Sequence, residues 1–202
     1  MKHLSILAAA LLTMAGAASA KPAHFNLDPN HTQVAISWTH FGFSHPAARF
    51  DSVTGDFNFD VVDPTHSSIV VTIPIASLDT GVPALDKHLK SPDFFDAGRF
   101  PTATFKSTSV QRVGEHGLKV SGDLTIHGVT KPAVLDVTVN KIGDHPMGGV
   151  AAGFDAKTVV RRSDFGITKY VPNVSDDIAI TITTEAKLDQ PAPADQKPAD
   201  KK

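Results

Sequence analysis

Between Val34 and Ile182 apolar residues recur at every second position in eight separate rows, a period that fits strands with one buried face and excludes a helical bundle. Val34, Ile36, Trp38 and His40 share one face while Ala35, Ser37 and Thr39 take the other. Val53, Gly55, Phe57 and Phe59 form a second row, and Ile69, Val71, Ile73 and Ile75 a third, with Pro74 marking an edge or a strand end. The remaining rows are Ala103, Phe105 and Ser107; Leu118, Val120, Gly122, Leu124 and Ile126; Ala133, Leu135, Val137 and Val139; Phe154, Ala156, Thr158 and Val160; and Ile178, Ile180 and Ile182. Turn-forming runs such as Val62-Asp63-Pro64, Gly114 to Gly117, His127-Gly128 and Gly143 to Pro146 separate them.

Eight antiparallel strands with polar outer faces can close on themselves, which removes the sheet edges and leaves an interior for side chains or one small ligand. A sandwich competes with this. The inward rows favour the barrel, because they mix large residues (Trp38, Phe57, Phe59, Phe105) with small ones (Gly55, Ala103, Gly122, Ala156), a mixture that leaves a lumen.

The stretch from Ser77 to Phe105 breaks the alternation. Pro83 can open a helix on which Leu85, His88 and Leu89 share a face, until Ser91-Pro92 stops it and begins another turn. That turn carries Phe94 and Phe95. Two adjacent rings on so short a segment do not both fit one packed surface easily, so at least one is expected to plug or line a space between insert and sheet. The expected fold is all-β: an extended eight-stranded antiparallel barrel with a helical insert at about residues 82–96.

The ends read differently. Lys2, the apolar run from Leu4 to Ala15 and the small residues Ala18-Ser19-Ala20 form an export signal over residues 1–20, followed by a domain over 21–187. From 188 to 202 the Pro, Ala, Asp and Lys residues have no apolar period and read as a disordered tail. No stretch approaches the about 18 uninterrupted apolar residues of a membrane-spanning helix. The chain has no cysteine, which excludes disulfides, thiolate metal sites and a cysteine nucleophile, and export without cysteine suits a bacterial periplasm. With 19 basic and 21 acidic residues, nothing points to nucleic acid or to an anionic membrane surface.

Asp79-Thr80-Gly81 is the triplet that supplies the carboxylate of aspartic proteases, but only one copy occurs. The simpler reading is structural, with Asp79 or Thr80 capping the helix and Gly81 taking a backbone angle that other residues resist. Ten histidines include no His-x-x-x-His pair, and His31, His40 and His88 would have to converge in space to hold a metal. No metal, cofactor or catalytic residue is assigned. Arg162 shares the face of Phe154 and Val160, so it is expected to point inward, either paired with Asp164 or Asp86 or contacting a ligand head group.

A dense set of motifs resembles the YceI-like family of bacterial periplasmic proteins. It comprises Asp28 with His31, His40 with Gly42-Phe43-Ser44, Gly55 before Phe57 and Phe59-Asp60, Ser77 with Asp79-Thr80-Gly81, and Asp86 with His88-Leu89, Ser91-Pro92 and Phe94-Phe95. It continues through Pro101-Thr102, Thr104-Phe105, Gly122 to Ile126, Gly128 to Thr130 and Arg162 to Gly166, in order from about Phe25 to about Lys187. The resemblance implies a lipocalin-like barrel with a long apolar pore that binds a polyisoprenoid or another long-chain lipid, no enzymatic activity, and often a homodimer. A departure is Pro46 to Arg49, where many members carry a Gly-containing link.

On this reading the chain is a periplasmic carrier of a long isoprenoid or fatty-acyl lipid, with a stress-response or partner-binding barrel as the alternative and an enzyme using an inward His/Asp/Arg cluster as a further one. Trp38, Phe57, Phe59, Phe105, Ile126 and Phe165 are expected to line the pore. Leu85, Leu89, Phe94 and Phe95 are expected to form its lid or end wall, and His40 and Arg162 its polar contacts.

Overall fold

The computed structural model describes residues 21–189; the expected export signal over 1–20 and all but residues 188 and 189 of the expected tail lie outside the described residues, and Leu188 ends the last strand. Eleven strands follow in the order β1 (Ala23–Leu27), β2 (Gln33–Ser37), β3 (Ala47–Phe50), β4 (Thr54–Phe59), β5 (Ser68–Pro74), β6 (Leu78–Asp79), β7 (Thr102–Val113), β8 (Gly117–Ile126), β9 (Val129–Asp144), β10 (Val150–Arg161) and β11 (Asp177–Leu188). The helix α1 (Pro83–Leu89) lies between β6 and β7. Every pairing is antiparallel.

Eight strands close a ring in the order β1-β4-β5-β7-β8-β9-β10-β11, with β11 returning to β1. The closing ladder is short, Phe25 opposite Leu188 and Leu27 opposite Ala186. The barrel wall then divides. Thr183 to Ala179 of β11 pair instead with Gln33 to Ser37 of β2, which carries β3 and then β6 as a side branch.

The eight-stranded barrel with one short helix agrees with the sequence reading, but the membership differs in one place. The row starting at Val34 belongs to the branch, and the ring is completed by β1, whose five residues are too few to signal a strand from period alone. Pro46 to Arg49, read as a link, is largely strand: Ala47 to Phe50 pair with Ser37 to Val34. Pro74 is the last residue of β5, where its missing N–H costs the ladder nothing.

Inward rows build the core. Around α1, Leu89 packs with Val34, Trp38, Phe50, Val53, Ile75 and Leu78. Toward the other end of the barrel, Phe25, Phe57, Phe59 and Phe154 pack ring against ring at centroid distances of 5.2 to 6.1 Å, mostly edge-to-face. Gly122, expected to leave open space, is instead covered: a Cβ there would stand 2.4 Å from the Phe105 ring and 2.5 Å from the Lys106 carbonyl oxygen. Only glycine leaves room there for the Phe105 ring.

The insert is tied down by one carboxylate. The expected cap by Asp79 or Thr80 does not form at the helix N-terminus, where Val82 stands without a side-chain bond. Asp86 instead reaches back to accept the Thr80 N–H at 2.7 Å and the Thr80 hydroxyl at 2.6 Å. Asp79 accepts the Gly81 N–H at 2.8 Å and pairs with Arg49 at 3.1 Å, and Gly81 takes φ +73° as expected. The protease triplet is thus a turn fastening.

Candidate functional site

A single continuous cavity of about 350 Å³ runs through the barrel interior, within the size range of small-molecule sites. Its walls are the inward rows: Val34 and Ile36 of β2, Val71 and Ile73 of β5, Leu124 of β8, Leu135 and Val137 of β9, Ala156 and Val160 of β10, and Ile178, Ile180 and Ile182 of β11. All twelve residues singled out in the sequence border it: Trp38, His40, Phe57, Phe59, Leu85, Leu89, Phe94, Phe95, Phe105, Ile126, Arg162 and Phe165. The aliphatic wall residues and Tyr170 were not singled out. The rows carried the signal for the former, but aromatic size drew attention away from them. Tyr170 follows Lys169 in a loop that shows no period.

The two ends of the cavity differ chemically. At one end Phe57, Phe59 and Phe154 line it, with Val110, Leu118 and Val120 beside Phe105, and Thr32, Ser67, Ser68, Ser107 and Thr184 add hydroxyl groups there. At the other, His40 and Tyr170 border the cavity and are also solvent-exposed, so the cavity reaches the surface there. The adjacent insert phenylalanines separate as their geometry requires. Phe95 turns inward onto Phe50 at 6.1 Å, while Phe94 meets His88 at 5.0 Å and Tyr170 at 6.3 Å. His40 and His88 thus both reach the mouth, but His31 lies elsewhere, beside Asp28.

Among the Asp, Glu, Lys and Arg side chains described, Arg162 alone lines the cavity, and it is 6% exposed. β10 ends at Arg161 and a short 3-10 turn, Arg162–Phe165, keeps the side chain inward. Neither expected acid is its partner: Asp164 pairs with Arg161 at 3.0 Å, and Asp86 serves Thr80. The guanidinium donates instead to three carbonyls, those of Ser175 (2.9 Å), Ile167 (3.1 Å) and Val174 (2.9 Å). It thereby pins the segment that forms one side of the mouth. Burial lowers the Arg162 pKa, partly offset by the charge of Asp176, but an arginine stays protonated throughout the accessible range. Desolvation raises the Asp176 pKa, yet the Ser163 hydroxyl (2.6 Å) and N–H (2.8 Å), with the nearby Arg162 charge, bring it below the ordinary value. Arg162 uses three of its five N–H groups in these contacts.

Two residues at the mouth hold unfavourable backbone conformations. Phe41 has φ +51° and Tyr170 φ +63°, a region that costs a non-glycine residue about 1 kcal/mol or more. The Phe41 N–H donates to the Asn173 carbonyl at 2.8 Å, which joins the two loops across the rim.

The Asp86 contact gives the insert a pH dependence. Its pKa lies below the usual 3.8, chiefly through the Thr80 hydroxyl, with desolvation opposing and the Thr80 N–H and the Lys90 charge assisting. A depressed folded-state pKa means that the carboxylate stabilises the fold above its unfolded value and loses that contribution as pH falls through the folded one. Asp86→Asn is therefore expected to be less stable than wild type near neutrality, with the gap closing as pH drops below about 3.8. Urea unfolding across that range checks it, and a gap independent of pH would exclude a charge-based role.

A closed antiparallel barrel around one apolar cavity, open at a polar rim, defines a lipocalin-like binding barrel. This chain belongs to the YceI-like family, whose domain model matches residues 25–186. It is 36% identical over 182 residues to the protein YceI of Escherichia coli O157:H7, covering 90% of this chain and 95% of that one. The crystal structure of Burkholderia cenocepacia BcnA superposes with a TM-score of 0.74 at 25% identity, over 80% of this chain and all of BcnA. A polyisoprenoid binding domain from Saccharophagus degradans, implicated in plant cell wall breakdown, shares the fold with a TM-score of 0.64 at 13% identity, over 83% of this chain and 99% of that domain. Among the described residues no helix is long and apolar enough to cross a membrane.

Proposed function

We propose that the protein binds one long-chain apolar lipid, of polyisoprenoid or fatty-acyl type, with its chain in the barrel and its polar end at the rim, and that it does so in the periplasm after export. The observation that carries this reading is the continuous, predominantly apolar cavity inside the barrel, with, among the described residues, its one charged side chain, Arg162, near the mouth. The Saccharophagus degradans domain, described as polyisoprenoid-binding, has the same fold. A partner-binding barrel with no dedicated ligand would have its interior filled by side chains.

Burial of a chain contributes about 0.8 kcal/mol per CH2, or roughly 4 kcal/mol gross for each five-carbon unit. Ordering the chain offsets part of this. A wall of Val, Ile and Leu cannot distinguish one methylene from the next, so the depth of the lumen sets the length accepted. Direction is set at the rim, where His40, His88, Tyr170 and the two N–H groups of Arg162 outside its carbonyl contacts can meet a head group. The reading is of a binding protein, since the polar groups around the cavity hold backbone and rim in place and form no nucleophile–base pair.

Trp38 is the only tryptophan in the sequence and it lines the cavity. Brominated acyl or prenyl chains, delivered to protein stripped of lipid, are expected to quench its emission saturably at one chain per protein. Emission that stays unchanged while the same chains associate with the protein would place them outside the barrel.

A further inference from the structure

The point where the barrel wall divides carries a second cluster of chemistry, on the outer surface and independent of the lipid reading. Between β1 and β2 the chain crosses over Glu185 of β11: the Asp28 N–H donates to the Glu185 carbonyl at 2.8 Å, and the Glu185 N–H to the His31 carbonyl at 3.2 Å. These bonds bring the side chains of Asp28, His31 and Glu185 together, with one ligand atom of each lying within 4.8 Å of the others. Asp28 Oδ2 stands 3.2 Å from His31 Nδ1. In a tetrahedral zinc site with bonds of about 2.0 to 2.1 Å, neighbouring donors are about 3.3 Å apart, so this edge already has the required spacing.

Two further groups complete the surroundings. His145, from the turn after β9, faces Glu185 Oε2 with its Nε2 at 3.8 Å, while its Nδ1 accepts the Met147 N–H at 3.2 Å. That bond turns Nδ1 away from the cluster, and Nε2 at 3.8 Å is beyond hydrogen-bond reach of Glu185, so His145 stands beside the cluster without ligating. The Lys187 ammonium lies 3.3 Å from Asp28 Oδ2, on the carboxylate oxygen a metal would use. One imidazole and two carboxylates suit a borderline ion better than the oxygen cages of calcium or magnesium.

We infer that Asp28, His31 and Glu185 form a site for Zn2+ or a divalent ion of similar softness, with a further coordination position open to water. No sequence motif marks the site, because the donors do not share a helix: two come from one turn and the third from a strand more than 150 residues away. The site would clamp the division of the wall. On the inner side of that wall the Thr32 and Thr184 hydroxyls meet at 2.7 Å and border the cavity.

Calorimetric titration of tag-free protein with Zn2+ tests this. The expected result is one saturable site, weakened roughly tenfold or more by His31→Ala and by Glu185→Gln. Lys187→Ala should tighten binding by removing the competing ammonium, an effect that a merely structural ion-pair cluster does not produce. Co2+ gives a second readout, since the absorption of a four-coordinate ion should appear in wild type and vanish in His31→Ala. Zn2+ binding that is absent, or that survives both ligand substitutions unchanged in folded protein, overturns the assignment, as does loosening by Lys187→Ala.

Discussion

Ala156→Phe is expected to abolish lipid binding while leaving the barrel folded. Ala156 lies midway along β10, opposite Val137 of β9 and Ile182 of β11, and all three face the cavity. A phenyl ring there projects into space that is already present, so it avoids the strain of forcing extra atoms into a packed core. It narrows the cavity at mid-length and obstructs the route along the barrel. Bound lipid, counted by mass after extraction, should fall from about one per protein to under about a tenth, a loss of more than roughly 2.6 kcal/mol for a site that starts about nine-tenths occupied. The control is on the next residue. Lys157 points to the opposite face of the same strand, so Lys157→Phe should leave lipid content intact. A folded Ala156→Phe protein that retains its lipid would show that the chain does not occupy the lumen.

Arg162→Met is expected to be the most damaging single change to stability. The substitution keeps much of the aliphatic volume but removes the donors to Ser175, Ile167 and Val174. A buried carbonyl left without a partner costs about 1 to 3 kcal/mol. Bonds in one fork are not independent, so the expected total is about 3 to 5 kcal/mol, comparable with breaking a buried ionic contact. Chemical unfolding measures it. Arg162→Lys should recover only part of the loss, because an ammonium cannot span three carbonyls set around a planar fork. If Arg162 served only the head group, Arg162→Met would lose lipid at undiminished stability, and that outcome would count against the pinning role.

Seven of the eight ring strands are legible because each inward row is long enough for its period to stand out, from the three residues of Ile178, Ile180 and Ile182 to the five of Leu118 to Ile126. β1, β3 and β6, of two to five residues, are not; β2 is as short as β1, but its alternating row runs on past the strand to Trp38 and His40. Nor could the row at Val34 reveal that it would leave the ring, because the division of the wall is a matter of which strand captures which half of β11.

The lining of the site was readable for a similar reason, as facing the barrel axis and lining the cavity are the same property. The partners of Arg162 were not. Sequence offers acids as partners for a buried cation, whereas the structure uses main-chain carbonyls of residues 167 to 175, whose approach depends on how that loop folds back. Gly122 was misread as open space because its vacancy is filled by a ring from the neighbouring strand. The separation of Phe94 from Phe95 followed from their adjacency, but which of them would face Phe50 depended on the turn at Ser91 to Asp96.

The central claim is that this barrel holds one long apolar chain. Native mass spectrometry of the protein purified from its own host, followed by organic extraction of the bound species, tests it most directly. A single stoichiometric prenyl or acyl lipid, released on unfolding and absent from Ala156→Phe, is the predicted result. A clean mass for the protein alone, together with refusal of every prenyl and acyl chain offered, would contradict it.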